Sequence, residues 1–209
     1  MDVAIIGAGN VGGALARSLG KAGHSVTITA ASPESAEAVA QNAEARAVAG
    51  NREAVEAGEV VVLAVPTQAL DELLAEIGDA LGGRVVVDVT NRLDPGDPGA
   101  MIDGTSNAER IQARVPAARV VKALNSVLAS RQADPVVEGI EIDGFVAGDD
   151  QEAKRVVLEL LRSIGLRPID AGPLTMARAL EAMAALNISL NMRNEWSWQT
   201  GWKLVGPTG

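Results

Sequence analysis

Near its start the chain reads Val3-Ala4-Ile5-Ile6-Gly7-Ala8-Gly9-Asn10-Val11-Gly12. The four apolar residues predict a buried strand, and the apolar periodicity that follows the glycines predicts a helix over 10–22. The glycines have the G-x-G-x-x-G spacing, in the strand–turn–helix context that this pattern requires in dinucleotide-binding folds. In that context Gly7 permits the tight turn, Gly9 lets the backbone approach a pyrophosphate, and Gly12 lets helix and strand pack closely.

The turn as a whole is a candidate phosphate site. Phosphates bind to free N–H groups and to the positive end of a helix, here the helix that begins near Asn10. A glycine turn without a ligand is the alternative, since the chain contains 22 glycines. The position between strand and helix favours the ligand. The predicted cofactor contacts in this turn are Gly7, Ala8, Gly9, Asn10, Val11 and Gly12.

Strands and helices are predicted to alternate along most of the chain. Runs rich in Val and Ile predict strands at 2–6, 25–29, 59–65, 84–89, 119–124, 142–147 and 166–169. Helical periodicity predicts helices at 10–22, 33–43, 51–57, 67–80, 106–114 and 150–164. Strand–helix alternation with nearly continuous apolar strands predicts an α/β fold, a doubly wound Rossmann parallel sheet. The Pro- and Gly-rich segment 91–105 predicts a loop at the crevice end that is either functional or mobile.

The segment 174–200 predicts one long helix with two apolar stripes, which makes a C-terminal helical extension of the Rossmann fold. The first stripe is Leu180, Met183, Leu186 and Leu190, and the second is Ala184, Ile188, Met192 and Trp196. A single small sheet covers one stripe, so a second subunit is expected to cover the other. We therefore predict a dinucleotide-binding domain at 1–173 and, at 174–209, a helix and tail that form a homodimer interface and a wall of the substrate pocket.

Several composition features exclude whole classes of function. Without any Cys, and with the single His24, the sequence predicts no metal site and no disulfide. The absence of Tyr excludes the Tyr/Lys acid–base pair of many short dehydrogenases. A formal net charge of -9 makes nucleic acid and anionic membranes poor partners. With no long apolar run, the chain is expected to be cytoplasmic. The dinucleotide-binding pattern indicates a small-molecule redox substrate as its partner.

The end of the second predicted strand bears on the choice between NAD and NADP. In NAD-binding folds an acidic residue about 20 positions past the glycines binds the ribose 2′-hydroxyl. Here the strand ends at Thr29 and continues as Ala30-Ala31-Ser32, without a carboxylate or an arginine. Hydroxyl groups can donate to a 2′-phosphate, so Thr29 and Ser32 favour NADP(H), with NAD left as the alternative.

The chain resembles the small NADPH-dependent reductases of the 8-hydroxy-5-deazaflavin coenzyme, known as the coenzyme-dependent NADP oxidoreductase family, and their relatives in membrane metalloreductases. The likeness is carried by Ile5-Ile6-Gly7-Ala8-Gly9-Asn10-Val11-Gly12-Gly13-Ala14-Leu15-Ala16, Val62-Leu63-Ala64-Val65-Pro66, Val87-Asp88-Val89-Thr90-Asn91, Val120-Val121-Lys122-Ala123-Leu124-Asn125, Val146-Ala147-Gly148-Asp149-Asp150 and Asp170-Ala171-Gly172-Pro173-Leu174. The last two blocks are specific to this group.

The resemblance implies that NADPH binds at the glycine turn and that a deazaflavin or flavin-like ring stacks on its nicotinamide. The matching positions are Ala64, Val65, Pro66, Thr90 and Asn91 for the cofactor, and Asn125 for the acceptor pocket. Two positions differ from the usual pattern: an Arg or Ser-Arg commonly follows the second strand, and His often stands where this chain has Asn125. A reductase of a small carbonyl or imine, and a dinucleotide-binding sensor without turnover, remain as alternatives.

Other residues have competing interpretations. Lys122 is interpreted as structural rather than catalytic, Asp88 as a ligand of backbone amides, and His24 as remote from the crevice. Three indoles, Trp196, Trp198 and Trp202, are expected at a subunit interface or against a flat ring. The amides of Asn187, Asn191 and Asn194 are expected to face solvent.

Overall fold

A computed structural model of the chain describes residues 1–92 and 104–207. Its main sheet has eight strands, in the order β10-β9-β6-β5-β4-β1-β2-β3. The strands are β1 (Asp2–Ile6), β2 (Ser25–Thr29), β3 (Ala45–Ala47), β4 (Val60–Leu63), β5 (Val85–Asp88), β6 (Arg119–Ala123), β9 (Asp143–Gly148) and β10 (Arg167–Gly172). A small antiparallel hairpin is formed by β7 (Val136–Val137) and β8 (Ile140–Glu141).

Six strands confirm the predicted doubly wound arrangement. The strands β3-β2-β1-β4-β5-β6 are all parallel, and they follow the order of a dinucleotide-binding sheet, with β1 and β4 at the switch point. Loops that leave the carboxyl ends of β1 and β4 therefore open onto one crevice. The sequence analysis missed β3, whose three residues carry too little apolar pattern to be recognised.

The last two strands correct the prediction of a wholly parallel sheet. β9 runs antiparallel to β6, with Ala123 opposite Val146, and β10 is parallel to β9. The connection from β6 to β9 contains only a four-residue helix, Ala129–Gln132, and the small hairpin. A parallel return needs a full crossover, usually a helix, and this connection supplies none, so β9 starts from the edge of the sheet where β6 ends.

Helices cover both faces of the sheet. They are α1 (Asn10–Lys21), α2 (Pro33–Gln41), α3 (Asn51–Ala57), α4 (Leu70–Ile77), α5 (Asn107–Arg114), α6 (Ala129–Gln132), α7 (Gln151–Ser163) and α8 (Ala177–Arg193). Short 3-10 helices lie at Thr67–Ala69, Gly78–Leu81 and Leu174–Met176. Alternation in β1 divides the core, since Val3 and Ile5 pack on the side of α1 and α7, whereas Ala4 and Ile6 pack on the side of α3 to α5.

The C-terminal helix is shorter than predicted. α8 ends at Arg193 instead of continuing to 200, because the chain then turns back along the molecule. Positive φ values at Glu195 and Trp198, 54° and 59°, accompany this reversal. The N–H of Asp143 at the start of β9 donates to Trp202 O at 2.8 Å, which holds the returning segment against the sheet. The sequence between 194 and 202 has no glycine before Gly201, so the reversal had no recognisable signal.

The predicted division of α8 into two stripes is wrong. Leu186 of the first stripe is 51% exposed although Leu180 of the same stripe is buried, and Ala184 of the second stripe is buried as well. Asn187 and Asn191, expected in solvent, are buried too. The amide of Asn191 donates to Asn187 O at 2.9 Å and to Thr200 Oγ1 at 2.7 Å, so the returning segment covers these amides. Asn194 is exposed, as expected.

Candidate cofactor-binding site

Two of the three motif glycines are required by packing. Gly7 has a φ of 114°, and a Cβ there would lie 2.3 Å from Ala64 O of the neighbouring strand's end. A Cβ on Gly12 would lie 1.9 Å from Gly7 O. Neither distance is possible without moving backbone, so these glycines bring α1 close to β1 and β4.

The third glycine is open. A Cβ on Gly9 would meet no atom within 4 Å, and Gly9 and Asn10 are both exposed at the surface of the crevice. No side chain caps the start of α1, and its first turn contains no acidic residue. The first N–H groups of this 12-residue helix are therefore available to an anion, and the open space over Gly9 is where such a group can approach them.

A cleft adjoins the glycine turn on the side of β2. Its volume is about 250 Å³, and it is lined by Ile6, Gly7, Ala30, Ala31, Asn51, Val65, Ala69, Glu72, Leu73 and Glu76. Small apolar side chains form much of this lining, which suits a flat aromatic base. The cleft brings the predicted residues Gly7 and Val65 together at the carboxyl edge of the sheet.

The two hydroxyls predicted to favour NADP differ in accessibility. Thr29 is completely buried, and its hydroxyl has no hydrogen-bond partner among residues 1–92 and 104–207. Ser32 caps α2 by accepting from Ser35 N at 3.4 Å, and its hydroxyl donates to Glu34 Oε2 at 2.6 Å. That bond, followed by the bond from the N–H of Glu34, lowers the pKa of the Glu34 carboxyl. The sequence analysis overlooked Glu34 because it lies beyond the strand end.

A pair of amides lies where β5 and β6 end. Asn125 Nδ2 donates to Asn91 Oδ1 at 2.9 Å, and Asn91 Nδ2 donates to Asn125 O at 3.1 Å. Asn125 Nδ2 also donates to Leu180 O of α8 at 2.9 Å. Asn125 is 7% exposed, and its Oδ1 has no donor in the described part of the chain. Thus Thr90-Asn91 and Asn125, matched separately to the family, form one locked unit.

The backbone before Asn125 is strained. Leu124 has a φ of 62°, in the left-handed region that residues with a Cβ rarely adopt, and its side chain is buried. Such conformations cluster at binding sites, where the surrounding structure holds them in place. Here the strained residue turns the chain at the end of β6, directly before the Asn125 amide.

A fully buried ion cluster lies beneath the amide pair. Lys122 Nζ donates to Asp88 Oδ2 and Glu181 Oε1, both at 2.8 Å, and to Thr90 O at 2.5 Å. Lys122 and Asp88 are 0% exposed. This confirms that Lys122 has structural contacts, and Asp88 Oδ1 accepts from Thr90 N at 2.9 Å, as interpreted from the sequence.

Further hydrogen bonds extend the cluster to α5 and to the loop after β4. Asn107 N donates to Glu181 Oε1 at 2.9 Å, and Asn107 Nδ2 donates to Thr90 Oγ1 at 2.7 Å and to Thr67 Oγ1 at 2.9 Å. Thr67 Oγ1 donates in turn to Asn91 O at 2.8 Å. Thr67, Asn107 and Glu181 could not be recognised from the sequence, because only the folded chain brings residues so distant in sequence together.

The remaining candidates lie elsewhere. His24 is remote from the carboxyl edge and contacts Ser163 Oγ at 2.8 Å, and partial burial lowers its pKa. Trp196 and Trp198 are exposed, and Trp202 is half-buried. Most of the predicted 91–105 loop, residues 93–103, lies outside the described residues.

Among residues 1–92 and 104–207, none of the helices has both the length and the apolar character needed to cross a bilayer. No group of three or more His, Cys, Asp or Glu side chains there is arranged to hold a metal ion.

Comparisons with known proteins point to one family. The family model described as NADP oxidoreductase, coenzyme F420-dependent, matches residues 2–92. The F420-dependent NADP reductase of Methanothermobacter marburgensis is 33% identical over 93% of this chain and 94% of its own length. A metalloreductase of Rattus norvegicus is 33% identical over 87% of this chain, which spans only 36% of that protein.

A solved structure is similar along the whole length. The crystal structure of a candidate F420-dependent NADP reductase from an Arthrobacter species superposes with a TM-score of 0.87 and 30% identity, over 99% of this chain and 100% of that one. Sequence and fold agree from the glycine turn to the C-terminal helix. At 33% identity over 93% of its residues to a named member, the chain belongs to the family of F420-dependent NADP reductases.

Proposed function

We propose that this chain transfers hydride between NADP(H) and the deazaflavin coenzyme F420. The observation that carries the proposal is the open, uncapped glycine turn, set beside a cleft and an amide pair along one crevice. The two substrates are inferred from the F420-dependent NADP reductase that is 33% identical over 93% of this chain. The dinucleotide would lie with its pyrophosphate over Gly9 and its adenosine in the cleft beside Ala30 and Ala31.

The proposed contacts extend along the carboxyl edge of the sheet. The pyrophosphate would be held by the turn that runs from Gly7 to Gly12, and the nicotinamide would lie over Ala64, Val65, Pro66, Thr90 and Asn91. The acceptor ring would stack on the nicotinamide beside Asn125. Hydride transfer between two stacked rings requires alignment and electrostatics from the protein, and the two coenzymes supply the chemistry. Amides locked by hydrogen bonds suit that role.

The preference for NADPH is proposed to be modest. To donate to a 2′-phosphate, the Ser32 hydroxyl would have to leave Glu34, whose carboxylate lies in the first turn of α2, and no arginine stands next to Ser32. Hydroxyl contacts to phosphate are weaker than bidentate guanidinium contacts. Equal kcat/KM for NADPH and NADH would contradict this proposal.

A spectrophotometric assay tests the reaction. NADPH and NADH are each offered with F420, FMN, FAD, ferric chelates and small carbonyl or imine compounds. Reduction of F420 by NADPH, and its reversal with reduced F420 and NADP+, is the expected result. Turnover with carbonyls or imines alone would favour the first alternative, and tight NADPH binding without any turnover would favour a sensor.

The C-terminal region is proposed to form a homodimer interface and to wall the acceptor pocket. Leu186, Met192 and Trp196 are large apolar residues exposed on or just after α8, and Ile188 between them is half-buried. Because each is already about half buried, covering the rest of each side chain would contribute roughly 1 kcal/mol. We retain 1–173 as the dinucleotide-binding part and 174–209 as the dimerisation part. The cytoplasm remains the predicted compartment, which cell fractionation would test.

A double substitution tests the dimer. Ile188→Asp with Met192→Asp is expected to give monomers that still bind NADPH, because the glycine turn is remote, but that turn over more slowly. Sedimentation equilibrium and steady-state kinetics on both proteins provide the measurement. A monomeric wild type, or a monomeric variant with full activity, would refute this model.

A further inference from the structure

The ion cluster beneath the amide pair carries an excess of negative charge. Lys122 supplies one ammonium, and Asp88 and Glu181 supply two carboxylates, so the formal sum is one negative charge. The side chains of Lys122 and Asp88 are 0% exposed and that of Glu181 is 6% exposed. In the described part of the chain, the ion pairs formed by these two carboxylates are with Lys122 alone.

Water cannot reach this charge to screen it. The other donors to the carboxylates are neutral: Thr90 N and Oγ1 donate to Asp88, and Asn107 N donates to Glu181. A charge buried in a medium of low polarity acts over a longer distance than one at the surface. The excess charge is therefore felt in the crevice above it.

The cluster lies directly under the proposed nicotinamide half of the crevice. Lys122 on β6 lies opposite Asp88 on β5. Lys122 is three residues before Asn125, and Asp88 is three residues before Asn91. On α8, Leu180 O accepts from Asn125 and the next residue, Glu181, accepts from Lys122. Since β1 to β3 form the adenosine half of such a sheet, β4 to β6 form the nicotinamide half.

The reaction changes the charge of the ring at this position. When hydride leaves carbon 4 of dihydronicotinamide with its electron pair, the neutral ring becomes a cation. The acceptor gains the hydride and takes a proton from water, so charge and atoms balance. We propose that the excess negative charge of the Lys122, Asp88 and Glu181 cluster stabilises the cationic nicotinamide and so favours hydride donation from NADPH. This inference rests on the proposed function.

The amide pair adds a second contribution of the same sign. Asn125 Oδ1 is a carbonyl oxygen without a donor among the described residues, on a side chain that is more than nine-tenths buried. An unpaired carbonyl oxygen presents the negative end of a dipole, and it also accepts from an amide N–H. Beside a nicotinamide ring, the negative end of this dipole favours the oxidised cation, whereas a bond from the carboxamide N–H is available in either redox state.

Glu181→Gln tests the effect because it removes the net charge and keeps an oxygen for Lys122 and Asn107. The dissociation constants of NADP+ and NADPH are measured by calorimetry and by the fluorescence of the reduced ring, without any acceptor. We expect the ratio Kd(NADP+)/Kd(NADPH) to rise roughly four- to fifteenfold, the effect of a unit charge about 10 Å away at an effective dielectric constant of about 20–40.

Glu181→Asp is the matched control, since it keeps the charge and disturbs the packing. A purely structural role would shift both dissociation constants together in either variant and leave the ratio unchanged. A rise of the ratio in Glu181→Gln, with the wild-type ratio in Glu181→Asp, supports the inference. An unchanged ratio in Glu181→Gln, or an equal rise in both variants, overturns it.

Two further results keep the test decisive. If Glu181→Gln does not fold, Asp88→Asn removes the same charge from the other side of Lys122, with the same expected rise and the same refutation. If the wild type binds neither dinucleotide, the proposed function fails and the inference falls with it. Binding of both without a shift of the ratio refutes the inference alone.

Discussion

The two halves of the crevice are lined by different kinds of residue. Around β1 and β4 the site consists of backbone and small side chains, with Gly7, Gly9 and Gly12 leaving room for a ligand. Around β5, β6 and α8 it consists of buried polar side chains, centred on Lys122 and tied together by hydrogen bonds. In the first half, ligand binding depends on glycines, which have no side chain to block the approach of a ligand. In the second half, it depends on buried side chains that hold one another in place by hydrogen bonds.

The largest effect is expected in the polar half. Lys122→Met would leave the Asp88 and Glu181 carboxylates buried without their cation, and we expect a loss of about 3–5 kcal/mol in the free energy of unfolding. Urea denaturation measures it. Lys21→Met at the end of α1 is the control, because that residue is exposed and forms no ion pair within the described residues. Similar stability of both variants would mean that the buried ion cluster does not stabilise the fold.

The glycine half should separate folding from binding. Gly12→Val would place a side chain against Gly7 O, so we expect the free energy of unfolding to fall by about 3 kcal/mol. The Cβ added by Gly9→Val lies more than 4 Å from any protein atom outside its chain neighbours, so this variant should keep the wild-type melting temperature while losing pyrophosphate contacts. Losing about two charge-assisted hydrogen bonds lowers NADPH affinity about 100-fold or more. Calorimetry and thermal melts on both variants check this, and retained affinity in Gly9→Val would contradict the placement of the pyrophosphate.

The smallest effect is expected at the rim of the polar half, where α8 meets α5. Arg178 holds Glu109 through two bonds of 2.9 and 2.6 Å, and lowers the pKa of that carboxyl to about 2. Since the folded pKa lies below the usual value of 4.5, the pair stabilises the fold above about pH 4.5, and this contribution fades as the pH falls towards 2.

Arg178→Met should therefore lower the urea midpoint slightly at pH 7, by much less than Lys122→Met. The difference from the wild type should shrink between pH 5 and pH 3. Arg155→Met is the control, since its partners Glu152 and Glu159 lie on the surface of α7 and connect no second element. A difference that stays constant with pH would show that Arg178 contributes by packing instead of charge.

The contrast between the halves also explains what the sequence could reveal. The glycine turn and the strands β1, β2, β4, β5 and β6 depend on local pattern, and local pattern was enough to predict them. The cluster could not be predicted, because Lys122 and Glu181 meet only when α8 packs across β6. The antiparallel direction of β9 depends on the path of the connection from β6, and the burial of Asn187 depends on the segment that returns after α8. Periodicity in the sequence indicates neither.

Thr67 has a consequence for the length of the chain beside the site. Its one hydroxyl group bonds both Asn91, just after β5, and Asn107, the first residue of α5. Both ends of the intervening connection are therefore held together by hydrogen bonds to the same hydroxyl. Lengthening a connection whose ends are already joined costs little, about 0.6 kcal/mol for each doubling. A change in the length of the chain between Asn91 and Asn107 is therefore expected to cost the fold little stability.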